Sequence, residues 1–138
     1  MNGKNLFLVM LLAGTMGFGC AQQTTKSTAK GLKAIHFDFD KADIKPEFEP
    51  VLKANAEWLK GHGNTKVSVE GHCDERGTNE YNIALGDRRA NSAKKYLLHL
   101  GVAKDHLSTI SYGEEKPAAK CHDESCWSQN RRDEFVGK

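Results

Sequence analysis

Two residues of opposite charge, Asp74 and Arg89, are the strongest candidates for binding chemistry in this sequence. Asp74 lies in the charged stretch "GHCDERGTNEYN", directly after a predicted strand, and Arg89 lies in the predicted helix that follows. An ionised aspartate only accepts hydrogen bonds, whereas a guanidinium only donates them. The two side chains could therefore stand at two edges of one pocket and hold a ligand that carries both charges. The spacing equally allows a salt bridge between them inside the protein.

Arg89 falls on the side of its helix that the sequence predicts to face the core. Helical periodicity places Tyr81, Leu85, Tyr96 and Leu100 on one face, and Arg89 lies within the same arc. A buried guanidinium needs a partner, because an unpaired buried charge costs several kcal/mol. Either an acidic residue of the protein or a charged ligand would supply that partner.

Hydrophobic periodicity predicts four strands that alternate with three helices. Alternating apolar and polar residues, as in "AIHFDFD", indicate strands, and apolar residues three and four apart, as in "KPEFEPVLKANAEWLKGHG", indicate helices. The predicted strands cover residues 34–40, 65–71, 107–113 and 131–137, and the predicted helices cover 45–63, 79–99 and, as a short helix or turn, 122–130. Thr78 is the expected N-cap of the long helix. This order predicts an α/β protein, built as an α+β sandwich with its sheet covered on one face.

Composition narrows the possible functions. The chain has 138 residues, of which 38% are hydrophobic and 28% charged, enough for one modest core. The formal net charge of +2 argues against a nucleic-acid binder that works by bulk charge. No segment after residue 20 is long and apolar enough to predict a membrane-spanning helix.

The first twenty residues, "MNGKNLFLVMLLAGTMGFGC", predict export. One lysine, an apolar run and small residues indicate a signal peptide over residues 1–19. Cys20 resembles the lipidated cysteine of bacterial lipoproteins, although Gly17 stands where a leucine is usual, and an ordinary cleaved signal is the alternative. The residue after Cys20 is Ala21, whereas lipoproteins that are retained in the inner membrane have an aspartate there. This difference implies an outer-membrane anchor. Residues 20–31 predict a lipidated N-terminus with a flexible tether, and residues 32–138 one folded domain.

The cysteines beyond Cys20 favour a disulfide over a metal. In an exported protein, Cys121 and Cys126 are close enough in sequence to form a local bridge. Cys73 lies an even number of residues after Val67 and Val69, so in an extended strand its side chain points to the same face. We therefore expect Cys73 in the core. The alternative is a zinc site with ligands from His72, Cys73, Cys121, His122 and Cys126. The spacing of these residues fits no standard zinc-binding pattern, and we therefore predict no metal.

Enzymatic activity is not expected. His72, Cys73 and Asp74 are adjacent in a strand, so their side chains alternate between faces and cannot form one relay. No glycine-rich phosphate loop follows a strand, and no cofactor is predicted. A catalytic cysteine paired with His36 or His122 is the alternative that the sequence leaves open.

Four segments resemble, in order, the OmpA C-terminal-like family. They are "FDFDKADI", "VEGHCDERGTNEYNIALGDRRANSAKKYL", "LSTISYGEEKPA" and "NRRDEF", and they span the chain from about Ile35 to its end. The resemblance implies an OmpA-like fold of order βαβαβαβ, with a mixed four-stranded sheet covered by helices on one face. Domains of this family bind peptidoglycan non-covalently at the meso-diaminopimelate residue of its peptide stem. The side chain of that residue ends in both an amine and a carboxylate.

The resemblance also implies roles for single residues. The family's aspartate after the second strand binds the ligand ammonium, and the arginine of the next helix binds the carboxylate; these positions match Asp74 and Arg89. Arginine suits a carboxylate because its planar fork can donate two hydrogen bonds. Further matching positions around the pocket are Phe39, Asp40, Arg76, Asn82 and Leu85. Arg131 and Arg132 match a family pair that we interpret as mainly structural.

The resemblance finally implies a place in the cell envelope. We expect an outer-membrane lipoprotein that tethers the membrane to the cell wall and works with the Tol system in envelope integrity and cell division. Its domain is expected to bind the periplasmic protein TolB on a surface that overlaps the wall-binding site. One alternative is an OmpA-like lipoprotein with the same ligand but no Tol partner. Another is a metal- or redox-responsive envelope protein that uses Cys73, Cys121 and Cys126.

Overall fold

The computed structural model describes residues 29–138 and confirms the predicted alternation of strands and helices. The strands are β1 (Ile35–His36), β2 (Val67–His72), β3 (Leu107–Gly113) and β4 (Arg132–Gly137), and the helices are α1 (Glu49–Gly61), α2 (Asn79–His99) and α3 (Glu124–Asn130). The predictions for the signal peptide, for Cys20 and for the tether up to residue 28 lie outside the described residues. Among residues 29–138, no helix has both the length and the apolar character needed to cross a membrane.

The four strands form one mixed sheet in the order β1-β4-β2-β3. β2 and β3 are parallel, and β4 runs antiparallel to both β1 and β2. A parallel pair needs a long crossover connection, and α2 supplies it between β2 and β3. The mixed four-stranded sheet expected from the sequence is therefore confirmed.

The core is a single cluster between the sheet and the two long helices. Its central buried members are Leu52, Ala56 and Leu59 of α1, Ala90, Ala93 and Leu97 of α2, and Val67, Val69 and Phe135 of the sheet. Because α1 and α2 share one cluster with the inward side chains of β2 and β4, both helices cover the same face of the sheet. This matches the predicted arrangement.

Two glycines bring α2 unusually close to β2. A Cβ on Gly71 would lie 1.9 Å from the carbonyl oxygen of Gly86, and a Cβ on Gly86 would lie 2.2 Å from Ser111 Oγ. Only glycine permits this approach, because any side chain would collide with backbone or hydroxyl. Arg89, about one turn further along α2, consequently reaches the end of β2, where its Nη1 donates to the carbonyl of His72 at 2.9 Å.

Leu85 and Arg89 of α2 are buried, as the helical periodicity predicted. The same prediction is wrong for Tyr81, which is 45% exposed. Tyr96 and Leu100 are only half-buried against the core. Tyr81 lies in the first turn of α2, before the close contact at Gly86, and its hydroxyl donates to Asp40 of the loop after β1. The buried residues of α2 are Asn82, Leu85, Gly86, Arg89, Ala90, Ala93 and Leu97.

β1 is much shorter than the predicted strand over residues 34–40. The backbone N–H of Phe37 still donates to the carbonyl of Arg131 at 3.0 Å, but the chain then leaves the sheet in a turn. Asp40 has a positive φ of 55°, which ends any extended conformation. The side chain of Phe39 is therefore 54% exposed and stands beside the ends of the other strands instead of in the core.

Candidate ligand-binding site

The seven residues predicted for a ligand site surround one cavity of about 210 Å³. The loop after β1, the loop after β2 and the first half of α2 form its walls. The predicted residues in this wall are Phe39, Asp40, Asp74, Arg76, Asn82, Leu85 and Arg89. Cys73, Gly77 and Tyr81 also line the cavity and were not predicted. Tyr81 was missed because its helical phase suggested a core position.

Asp74 is 3% exposed and is held by two arginines. Its Oδ1 accepts from the backbone N–H of Arg76 at 3.0 Å and from Arg76 Nε at 3.1 Å, and its Oδ2 accepts from Arg76 Nη2 at 2.8 Å and from Arg131 Nη1 at 3.4 Å. Burial raises the pKa of Asp74, but the hydrogen bonds from Arg76 and Arg131 outweigh burial and hold the pKa below its ordinary value. Asp74 is therefore a fixed negative charge at neutral pH.

Arg89 is fully buried at 0% exposure and donates to three backbone carbonyls. Its Nε, Nη1 and Nη2 donate to the carbonyls of Lys41, His72 and Asp38 at 2.8, 2.9 and 3.0 Å. Burial lowers the pKa of Arg89, yet a guanidinium stays charged in a protein. Of its five N–H groups, three are used in these bonds and two are not.

Asp74 and Arg89 are held separately although they line the same cavity. In the part of the chain that the structure describes, they form no salt bridge with each other, because Asp74 pairs with Arg76 and Arg131 while Arg89 donates to backbone carbonyls. The sequence left open a salt bridge between Asp74 and Arg89 inside the protein, and that alternative is therefore wrong. Asp74 and Arg89 therefore offer the cavity a negative and a positive group that do not neutralise each other directly.

Exposed and half-buried side chains that contact one another form the outer rim of the cavity. On one side, Tyr81 donates a hydrogen bond from its hydroxyl to Asp40. On the other side the guanidinium of Arg76 lies between two aromatic rings, 3.8 Å from the centroid of Phe39 and 4.1 Å from that of Trp127. No sequence signal pointed to Trp127, because it comes from α3, far along the chain.

Asn82 and the glycine before α2 shape the loop that carries Asp74. Gly77 has a φ of +101°, a conformation that favours glycine, and Thr78 then caps the helix by accepting from the backbone N–H of Tyr81, as predicted. The buried Asn82 donates to the carbonyls of Asp74 and Arg76 at 3.2 and 3.1 Å. Asn82 therefore fixes the loop, whereas Leu85 contributes apolar surface to the wall.

Arg131 and Arg132 have separate structural contacts. Arg131 Nε donates to the carbonyl of Phe37 at 2.9 Å, and its terminal nitrogens bond to Glu124 as well as to Asp74. Arg132 lies on the other face of the sheet, where its Nε donates to Glu134. Arg131 thus links the loop after β1, the loop after β2 and α3, so this residue also supports the site.

The cysteines do not converge on a metal. Cys121 and Cys126 form the predicted disulfide, at the start of α3. Cys73 is a free, buried thiol, and burial raises its pKa to about 11, so it stays protonated at neutral pH. His72 points to the opposite face of β2 from Cys73. The zinc site considered from Cys73, Cys121, Cys126 and their neighbouring histidines is therefore not formed.

The sequence and fold match one protein family. The model of the OmpA family matches residues 36–131, so the chain belongs to the OmpA family. The peptidoglycan-associated lipoprotein of Pasteurella multocida (strain Pm70) is 54% identical over 144 residues, covering 94% of this chain and 96% of that protein. That of Mesorhizobium japonicum is 48% identical over 150 residues, covering 94% of this chain and 89% of that protein.

Solved structures agree with this assignment. The crystal structure of the peptidoglycan-associated lipoprotein from Burkholderia pseudomallei superposes with a TM-score of 0.74 at 40% identity, covering 76% of this chain and 89% of that chain. The C-terminal domain of Helicobacter pylori MotB gives a TM-score of 0.70 at 22% identity, covering 78% of this chain and 85% of that one. The second similarity shows the shared fold alone.

Proposed function

We propose that this chain binds peptidoglycan non-covalently through the meso-diaminopimelate residue of the peptide stem. The observation that carries the proposal is the separate placement of Asp74 and Arg89 in the wall of one cavity. The ligand side chain ends in an ammonium and a carboxylate, which need one acceptor and one donor at a fixed separation. The names of the relatives at 54% and 48% identity, peptidoglycan-associated lipoprotein, support the same ligand.

Arg89 is proposed to bind the ligand carboxylate with its two remaining N–H groups. The contact is charge-assisted, and a planar guanidinium can hold both carboxylate oxygens. A stem with lysine in place of diaminopimelate lacks this carboxylate. Such a stem would offer these two N–H groups no acceptor, which disfavours the lysine ligand.

Asp74 is proposed to bind the ligand ammonium in exchange for one of its present donors. Its two oxygens already accept four hydrogen bonds, which is about the capacity of a carboxylate. The bond from Arg131 Nη1 is the longest, at 3.4 Å, and the side chain of Arg76 is partly exposed. An incoming ammonium would replace one of these contacts, so the net gain is smaller than for an unoccupied carboxylate.

Access to Arg89 requires the rim of the cavity to move. Arg89 has no exposed surface, and a hydrogen bond joins Tyr81 and Asp40, two residues of the same cavity wall. Both of these residues are exposed, so their side chains can move. We infer that the ligand displaces this bond and packs against Phe39, whose ring already projects beyond the surface.

The proposed cellular role follows from the N-terminal segment and the ligand together. We propose cleavage after residue 19, lipidation of Cys20 and a tether to residue 31, with residues 32–138 as the wall-binding domain. The protein would then link the outer membrane to the cell wall reversibly and without a catalytic reaction. The Tol system, with TolB as the direct partner, is the proposed setting in envelope integrity and cell division.

Co-sedimentation with purified sacculi tests the ligand. The wild-type chain should sediment with walls that contain meso-diaminopimelate, should be released by free meso-diaminopimelate, and should bind lysine-type walls about ten- to a hundred-fold more weakly. The variant Asp74→Asn should bind weakly, and Asp105→Asn, which removes an exposed carboxylate at another site, should bind like wild type. Equal binding of wild type to both kinds of wall would rule out the proposed ligand chemistry.

A further inference from the structure

A second cluster of ionisable side chains lies on the face of the sheet opposite the helices. Glu70 and His72 alternate along β2 with Val69 and Gly71, which face the helices, so both point to the opposite face of the sheet. Glu134 on β4 is the register partner of Glu70 and points the same way. The potential ligand atoms of these three residues all lie within 4.8 Å of one another. None of the three lines the cavity that contains Arg89.

His72 is the member of this cluster whose polar atoms lack partners. Its side chain is 1% exposed, and neither Nδ1 nor Nε2 forms a hydrogen bond in the structure described for residues 29–138. The ring stacks on Tyr112 with the centroids 5.6 Å apart, which fixes its orientation. Nε2 lies 3.7 Å from Glu70 Oε2, too far for a hydrogen bond. A buried imidazole without partners is costly, and a group placed between these two atoms would remove that cost.

We propose that Glu70, His72 and Glu134 bind one divalent transition-metal cation, with Zn²⁺ as the best match. Two ligands of a tetrahedral zinc at about 2.0–2.2 Å from the metal stand about 3.4 Å apart. The 3.7 Å between His72 Nε2 and Glu70 Oε2 needs only a small closure to reach that separation. An imidazole with two carboxylates suits zinc better than magnesium or calcium, which prefer oxygen ligands alone.

The surrounding cations are compatible with this site but limit its affinity. Arg132 Nε donates to Oε1 of Glu134 at 2.6 Å, which leaves the second oxygen for the metal. Ligating carboxylates commonly carry such an outer hydrogen bond. Lys116 Nζ lies 3.7 Å from the centroid of the Tyr112 ring and adds a second positive charge nearby. Glu134 is partly exposed, so the cation can enter from this side.

Zinc titration of the full chain tests the site. After removal of metals by a chelator, the wild-type protein is titrated with Zn²⁺ against a chromophoric competing chelator, and its melting temperature is measured with and without Zn²⁺. We expect one equivalent to bind and to raise the melting temperature. Glu134→Gln, which keeps an acceptor for Arg132, should weaken binding at least about tenfold and remove the melting shift. Glu57→Gln removes an exposed carboxylate of α1 and should behave like wild type.

A second zinc-binding candidate must be separated from the proposed one. His122 Nδ1 contacts Glu75 at 2.7 Å at the surface, and such a pair could also hold a cation. If His122→Gln abolishes zinc binding while Glu134→Gln does not, or if wild type binds no zinc, the proposal is overturned. Glu70→Gln provides an independent variant of the same site, should Glu134→Gln fail to fold. Sacculus binding is a separate measurement, so the zinc result does not depend on the wall ligand.

Discussion

The proposed contact between Arg89 and a ligand carboxylate can be tested with one change in the protein and one in the ligand. The protein change is Arg89→Gln, which removes the positive charge but keeps an amide that can donate hydrogen bonds. The ligand change is the replacement of meso-diaminopimelate by lysine in a soluble stem peptide, which removes the carboxylate. The four combinations form a cycle that isolates the energy of this contact from other effects of either change.

The structure predicts that Arg89→Gln affects stability as well as binding. Arg89 donates to the carbonyls of Lys41, His72 and Asp38, and a glutamine can donate to two of them at most. Bonds from a charged donor contribute about 1.5–3 kcal/mol each, so a loss of about 2–4 kcal/mol is expected. This is a large part of the roughly 5–15 kcal/mol of a typical domain. Binding must therefore be measured well below the melting temperature of the variant.

Isothermal titration of the stem peptides gives the decisive numbers. Wild type should bind the diaminopimelate stem about ten- to a hundred-fold more tightly than the lysine stem, equivalent to about 1.5–3 kcal/mol. Arg89→Gln should bind both stems weakly and nearly equally, because its side chain offers the carboxylate no charge. If the folded variant discriminates between the stems as strongly as wild type, Arg89 does not contact the carboxylate, and the proposed orientation of the ligand is refuted.

Three further predictions concern stability. Burial raises the pKa of Asp133 well above its ordinary value, so folding takes up a proton and the free energy of unfolding falls as the pH rises above about 3.8. Asp133→Asn should therefore raise the free energy of unfolding at pH 7 by about 1 kcal/mol or more and change it little at pH 4. If denaturant titrations show that Asp133→Asn lowers the free energy of unfolding at pH 7, Asp133 is ionised in the folded protein instead. Reduction of the Cys121–Cys126 disulfide should cost about 2 kcal/mol by calorimetry, and a double serine variant should not respond to reductant. Gly71→Ala should cost about 3 kcal/mol because its Cβ would collide with a helix carbonyl, while Gly61→Ala, whose Cβ meets nothing within 4 Å, should be neutral or slightly stabilising in the same denaturant titration.

The sequence predicted the fold well because its strands and helices carry regular periods. The long helix Asn79–His99 has the predicted bounds and the predicted cap at Thr78. The end of β1 was not predictable, since the alternation of apolar residues continues through Phe39. The turn there depends on Arg89, which binds the carbonyls of Asp38 and Lys41 from about fifty residues away. A local sequence pattern cannot indicate a hydrogen bond between residues that are so far apart in the chain.

The residues of the candidate site were predicted, but their partners were not. Helical periodicity placed Arg89 on a buried face and indicated only that it needs a partner. Three backbone carbonyls are the partners of Arg89. Because every residue has a backbone carbonyl, the sequence does not indicate which ones accept these hydrogen bonds. The two partners of Asp74, Arg76 and Arg131, are likewise set by loop geometry and by the approach of β4. Opposite charge therefore pointed to two residues that line one cavity, but also to a pairing that the structure does not form.

Two arginines hold the loop that carries Phe39 and Asp40. Arg131 donates to the carbonyl of Phe37 and to Asp74, and Arg89 donates to the carbonyl immediately after it, that of Asp38. In the proposed complex, the ligand ammonium on Asp74 would compete with Arg131, whereas the ligand carboxylate would use the N–H groups of Arg89 that the loop carbonyls leave unused. The ammonium would therefore weaken the contact of Arg131 with Asp74, while the contact of Arg89 with the loop would stay in place. We expect the loop to adjust at its Phe37 end and to keep its position at Asp38 when the ligand binds.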